Sequence, residues 1–263
     1  MVIHRGTIQI ENKPSLRNPL MIMAFRGWND GGVAATNVVR SMIKKLDAKR
    51  FATMDPEDYY VFTEHRPKVK LVDGETRREV LWQKNEFYHA ELPGTDRDVV
   101  LFLGTEPDLR WRTYCDEVCE LADDLGVRMG VTLGAYLADV LYTLPVQLNG
   151  FASDLNLVDR FNLQRTSYEG PTGIVGVLNS HMVEWGMETL SLWAAVPYYI
   201  SIPNPKAVLS LMEILREIFE IQLDTRDLEN EAEEFDNEIN DVVSKDPSVA
   251  AYVRELKKRD FLN

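Results

Sequence analysis

The side chains able to do chemistry gather in four short stretches. Arg26-Gly27-Trp28-Asn29-Asp30-Gly31-Gly32 sets a cation, an amide and a carboxylate among glycines. Gly104-Thr105-Glu106-Pro107-Asp108 is followed at once by Arg110-Trp111, and Gly134-Ala135 and Glu169-Gly170-Pro171-Thr172-Gly173 complete the set. Carboxylates next to arginines can move protons or orient a polar substrate. A glycine-punctuated loop that feeds a helix can hold an anion on the helix N-terminus. The Gly-x-x-x-Gly-Gly spacing, however, is neither the dinucleotide fingerprint nor a phosphate loop with its Lys-Ser/Thr pair. The same residues also read as a tight strand-to-helix turn with Asp30 as N-cap, and as ion-paired loop ends. No spacing joins a nucleophile to a base, so no catalytic residue is assigned.

Other chemistries find less support. His4, His65, His89 and His181 share no helical or strand spacing, which leaves no metal site and no cofactor in view. His181 follows Ser180, but Gly176 to Ser180 does not form the Gly-x-Ser-x-Gly elbow of a serine hydrolase. Cys115 and Cys119 lie four apart on one face of a helical stretch and read as core thiols in a reducing compartment. With 29 basic against 42 acidic residues, the net charge of -13 disfavours nucleic acid and anionic membrane surfaces as partners. The longest apolar run, Leu190 to Ile200, is too short to span a bilayer and contains Pro197. No secretory pattern opens the chain, so a soluble cytoplasmic protein is expected.

The elements that must position these residues follow from the apolar pattern. Leu20 to Phe25 is a continuous apolar run suited to a strand covered on both faces, after which Ala35, Val38, Val39, Met42 and Leu46 recur on one helical stripe. Arg50 to Met54 then completes a β-α-β unit. Asp98 to Leu103, Val127 to Leu133, Pro145 to Ala152 and Met187 to Ala195 read as further strands, and Trp111 to Leu125 and Ser180 to Trp185 as helices. Val2 to Ile10 reads as an edge strand. This alternation predicts a mostly parallel α/β domain. Residues 55–91 break the rhythm: Tyr59 to Phe62, Lys68 to Val72, Glu79 to Trp82 and Phe87 to Glu91 read as an antiparallel excursion with a turn at Asp73-Gly74. Its aromatics, Tyr59, Tyr60, Trp82, Phe87 and Tyr88, suit either an oligomer interface or a cover for the sheet. Beyond Pro205, two stripes (Val208, Leu211, Leu215, Ile218 and Leu228, Ala232, Phe235, Ile239, Val242) predict a helical hairpin with an acidic outer face, and Asp246-Pro247 opens a third helix.

A parallel sheet gathers strand ends on one edge, where open α/β sheets bind ligands. Arg26, Gly27, Trp28, Asn29, Asp30, Gly31, Gly104, Glu106, Arg110, Gly134, Glu169 and Thr172 are therefore expected to ring one pocket, with Asp30, Glu106 and Thr172 on the same edge.

Gly27-Trp28-Asn29-Asp30-Gly31-Gly32-Val33-Ala34-Ala35, Gly104-Thr105-Glu106-Pro107 with Arg110-Trp111, Tyr168 to Ile174, and Ser191 to Tyr199 with Pro203-Asn204-Pro205-Lys206 resemble the PAC-type proteasome assembly chaperone family, that of the second PAC subunit, in its actinobacterial branch. The resemblance covers roughly residues 20 to 245. It implies a Rossmann-like three-layer α/β/α core (residues 1–204), similar to phosphorylase and hydrolase folds, with a C-terminal helical domain (residues 205–263). It also implies homo-oligomers, trimers or other, and a protein partner, since relatives help build proteasome rings by binding α subunits. It supplies no catalytic residues. The reading is thus a non-enzymatic assembly-chaperone-like or scaffold protein, with a small-molecule hydrolase or phosphorylase as the alternative. Some archaeal relatives end in a hydrophobic residue, a tyrosine and any residue; this chain ends Asp260-Phe261-Leu262-Asn263, so that docking mode is not expected.

Overall fold

The computed structural model describes residues 3–72, 74, 76–161, 163–165 and 168–260. In chain order the elements are β1 (Ile3–Arg5), β2 (Ile8–Ile10), β3 (Leu20–Arg26), α1 (Ala34–Lys45), β4 (Lys49–Met54), β5 (Lys68–Leu71), β6 (Arg78–Leu81), β7 (Glu86–Glu91), β8 (Asp98–Thr105), α2 (Trp111–Asp124), β9 (Met129–Ala138), β10 (Leu148–Ala152), α3 (Leu155–Arg160), β11 (Gln164–Arg165), α4 (Ile174–Glu184), β12 (Glu188–Pro197), α5 (Pro205–Phe219), α6 (Arg226–Lys245) and α7 (Pro247–Asp260). Val2, Asp73 of the expected Asp73-Gly74 turn and the final Phe261-Leu262-Asn263 lie outside the described residues.

The continuous apolar run of β3 is buried from Leu20 to Phe25 because both faces of the strand are covered. Side chains alternate across a sheet, so the run feeds two cores. Leu20, Ile22 and Ala24 pack with α1 and α5, alongside Val99 and Leu101 of β8 and Val131 and Leu133 of β9. Met21, Met23 and Phe25 pack on the other face with Phe102, with Tyr114, Cys115 and Val118 of α2, and with Ile174, Val175 and Leu178 of α4. A third, smaller cluster joins Leu141, Tyr142 and Ile200 to Phe235 and Ile239 of α6 and Val253 and Leu256 of α7.

The fold is mixed α/β. One sheet holds ten strands in the order β1-β2-β4-β7-β8-β3-β9-β12-β10-β11. Its centre matches the expected parallel arrangement, since β8, β3, β9 and β12 run parallel to one another, and the short β11 pairs parallel with β10 at one edge. The flanks pair antiparallel, from β1 through β2, β4 and β7 to β8, and again between β12 and β10. The large sheet is therefore more antiparallel than parallel, which corrects the mostly parallel expectation. The β3-α1-β4 unit does run parallel at its two strands, but β7 and β8 lie between them. The reason is local: Phe87 and Tyr88 of β7 pair with Phe102 and Leu101 of β8, so the returning strand occupies the position beside β8.

Residues 55–91 also differ in detail from the expectation. Tyr59 to Phe62 is a turn rather than a strand, and β7 joins the main sheet. Tyr59 and Tyr60 are buried because the turn directs their rings inward, and Phe87 of β7 is buried against the stacked Phe102 ring. The Tyr59 ring meets Tyr114 edge-on with centroids 5.0 Å apart, and the Tyr60 hydroxyl donates to the Thr105 carbonyl at 2.7 Å. Among the described residues, only β5 and β6 stand apart, as a two-stranded sheet of their own.

Candidate functional site

The loop after β3 is held by one carboxylate. Glu106, at the end of β8, donates its own N–H to the Arg26 carbonyl at 2.8 Å. Its Oε2 accepts from the Trp28 N–H at 3.1 Å, and its Oε1 accepts from Asn29 Nδ2 at 3.0 Å and from the Ile174 N–H at 2.8 Å. Ile174 is the first residue of α4, so Glu106 places a negative side chain on the positive end of that helix and satisfies one of its unpaired donors. The anion that such a helix end attracts is thus supplied by the chain itself. Gly27 is required here twice over: its φ of +134° disfavours a side chain, and a Cβ would lie 2.9 Å from the Glu106 Cβ. Gly173 is equally confined, because a Cβ there would lie 2.3 Å from Asn29 Nδ2.

Asn29 is buried, and its carbonyl accepts from the Ala135 N–H at 2.8 Å, which ties the loop to β9. Asp30 pairs with Ala135 in a parallel bridge. Its carboxylate turns the other way: Oδ1 accepts from the Thr36 N–H at 3.1 Å and Oδ2 from the Thr36 hydroxyl at 2.6 Å. Asp30 therefore caps the first turn of α1 across the tight Gly31–Val33 turn. Burial pushes its carboxyl above the ordinary 3.8, against the pull of the Thr36 bonds and the charge of Arg40.

The remaining expected residues serve several partners. Arg26, Trp28, Glu169 and Thr172 are exposed, Trp28 by 64%. Gly104 faces Phe25 across the β3–β8 pair and leaves room for that ring, and Gly134 does the same for Trp193 across β9–β12. Arg110, at φ +55°, reaches Asp58 at 2.6 Å. Asp108 accepts from the Val61 N–H at 2.7 Å and meets His65 Nδ1 at 2.8 Å. The loops bearing Asp30, Glu106 and Thr172 do meet on one edge, through Asn29, Glu106 and Gly173. A cleft of about 580 Å³ lies elsewhere, between Leu141, Lys206, Phe235 and Leu256.

The arrangement does not assemble a nucleophile with its base. His181 Nδ1 meets Asp116 at 3.1 Å on the α2–α4 contact. Cys115 and Cys119 are buried, and burial pushes the Cys119 thiol up to about 12 and Cys115 higher still, which suppresses the reactive thiolate. Among the described residues no group of three His, Cys, Asp or Glu could hold a metal ion, and no helix is long and apolar enough to cross a membrane. Asn85 escaped sequence reasoning altogether. Its buried Oδ1 accepts from the Tyr114 hydroxyl at 3.1 Å and the Thr105 N–H at 3.0 Å and lies 3.0 Å from the Tyr60 hydroxyl, joining the turn, α2 and β8. A lone asparagine ahead of a strand carries no signal of such a role.

The model of the PAC2 family matches residues 24–243, a span that includes every loop of this edge. The chain belongs to the PAC2 family. Among solved PAC2 structures, a family protein from Streptomyces avermitilis is 39% identical, with a TM-score of 0.82 over 89% of this chain and 99% of its own. A proteasome-assembly chaperone homologue from Mycobacterium tuberculosis is 41% identical, with a TM-score of 0.81 over the same shares, 89% and 99%. An archaeal proteasome activator from Pyrococcus furiosus, at 20% identity and TM-score 0.71 over 90% and 98%, shares the fold. Comparison with curated proteins finds no match.

Proposed function

We propose that this PAC2 protein is a non-enzymatic assembly-chaperone-like or scaffold protein that works through protein partners. The observation that carries the reading is its 41% identity, across nearly the whole relative, to a proteasome-assembly chaperone homologue. The site geometry supports it. The groups that motivate a hydrolase or phosphorylase reading are engaged separately: Glu106 with three N–H donors, Asp30 with Thr36, and Arg110 with Asp58. The reading takes residues 1–204 as a Rossmann-like three-layer core and 205–263 as a helical appendage, in a cytoplasmic homo-oligomer. The residues once expected to ring a pocket then act as the frame of a protein-facing edge, with Trp28 at its exposed rim.

The test is reconstitution. Purified protein is added to separately expressed proteasome α and β subunits from its own organism, and half-ring and ring formation is followed by native gel. Faster assembly, or a stable complex with α subunits, is expected. Unchanged assembly together with no complex overturns the role.

A further inference from the structure

We infer that the groove between α5, α6 and the loop before β10 docks an extended segment of a partner protein, apolar at one end and basic at the other. The inference gives the partner's chemistry for the reading above, and rests on that reading's use of protein partners.

Two clefts, of about 580 and about 320 Å³, join end to end here and share Pro145, Val146 and Lys206. The opening between them has a cause in the sequence. β10 pairs antiparallel with β12 from Leu148 opposite Ala194, and the Ala195 N–H donates to the Gln147 carbonyl at 3.0 Å. Continuing that register sets Pro145 against Pro197, and neither has an N–H to give, so the chain before Gln147 leaves the sheet. Both prolines line the larger cleft. Along the smaller one, α5 presents Lys206, Leu209, Glu213 and Glu217, three or four apart and therefore on one helical face. At 1.5 Å per residue that stripe is about 16 Å long. Val146, Leu148 and Ala232 of α6 line it as well. Beyond Lys206 the groove continues between Leu141, Phe235 and Leu256.

Charge selects the occupant. The cations along the groove already have carboxylates: Lys206 meets Asp236 at 2.9 Å, and Arg259 meets Asp139 at 3.4 Å. The acids at the far end of α5 have no such partners. Glu213 and Glu217 are exposed, and among the described residues neither enters an ion pair or a hydrogen bond. Like charges one helical turn apart repel, and a basic side chain laid across them relieves that repulsion. The net charge of -13 attracts the same kind of partner from a distance. Length then separates a segment from a small molecule. Either cleft alone is large enough for a small ligand, but one occupant reaching both Phe235 and Glu217 must span more than the α5 stripe. An extended chain advances about 3.3 Å per residue and turns alternate side chains to the same side. A segment of about seven residues therefore fills the Leu141–Phe235 end with apolar side chains and brings lysine or arginine to Glu213 and Glu217.

Fluorescence anisotropy on the full chain at physiological salt tests the groove. The probes are the labelled heptapeptide Leu-Ser-Leu-Ser-Arg-Ser-Arg and its reversed sequence. One of the two is expected to bind about tenfold tighter than versions with glutamate for arginine or serine for leucine. Glu213→Lys/Glu217→Lys is expected to weaken that binding about tenfold and to admit the glutamate version instead. Glu231→Lys/Glu234→Lys makes the same change of charge at exposed positions of α6 outside the groove, and is expected to weaken it less than about threefold. Equal loss in the two charge variants reduces the contact to long-range attraction and overturns the groove. No preference among the peptides in either direction overturns it too. If the amide Leu-Arg binds as tightly as the heptapeptide, the site takes a small molecule and the extended segment is overturned. Peptide binding is read without proteasome subunits, so its failure leaves the reconstitution result standing, and a failed reconstitution leaves the peptide result standing.

Discussion

Glu106 is bonded to a loop and a helix that lie 68 to 78 residues away from it in the chain. Two of its donors, Asn29 Nδ2 and the Ile174 N–H, belong to buried residues. A buried donor stripped of its acceptor costs roughly 1–3 kcal/mol, so Glu106→Ala is expected to lower stability by about 3 kcal/mol in urea unfolding. Glu106→Gln keeps one acceptor oxygen and is expected to lose less. If both variants unfold with the wild type, Glu106 is not the tie that the geometry makes it. The carboxylate was visible in the sequence as a candidate, because an acidic residue at the end of an apolar strand stands out. Its partners were not, since no local pattern records that residues 28, 29 and 174 converge on it. Gly134 shows the same limit: it drew attention as a strand-end glycine, but its neighbour Trp193 comes from another strand.

At the scale of elements, the passage from β3 to α1 was legible because hydrophobic period changes from continuous burial to a helical stripe. Strand order was not, because pairing partners are chosen by contacts that local period does not encode; β4 lies three places from β3 on that account. Asp30 belongs to this scale, since its carboxylate serves the first turn of α1 through Thr36. Its folded-state pKa is raised by burial, so the folded protein holds the proton more tightly than the unfolded chain. The sign follows: Asp30 contributes fully below its unfolded value, and that contribution is lost as pH rises through the folded value. Asp30→Asn keeps an acceptor for Thr36 and removes the titration. The stability of wild type minus that of Asp30→Asn should therefore fall as pH rises from the ordinary carboxylate value of 3.8 toward neutrality. A flat difference across that range would show that burial of the carboxylate is not felt.

At the scale of the whole molecule, the composition change at Pro205 was legible, yet the three C-terminal helices do not behave alike. Leu211 and Leu215 of α5 are fully buried in the core shared with α1 and the sheet. Phe235 and Ile239 of α6 instead join α7 and the loop residues Leu141 and Tyr142 in the separate third cluster. Lys206 spans the two, with Nζ 2.9 Å from Asp236 and 2.6 Å from the Tyr142 carbonyl. Segments held by few buried contacts open below the global unfolding free energy, so α6 and α7 should form their own opening unit. Phe235→Ala removes the largest apolar side chain of that cluster, and such truncations cost about 3–5 kcal/mol where the site is well packed. Hydrogen exchange is then expected to speed up across residues 226–260 while amides of β3, β9 and α5 keep their wild-type rates. Exchange that quickens in α5 together with α6 and α7 would put the boundary of the helical appendage at residue 205. Protection retained in α5 would put it after Phe219, with α5 counted as a layer of the sheet domain.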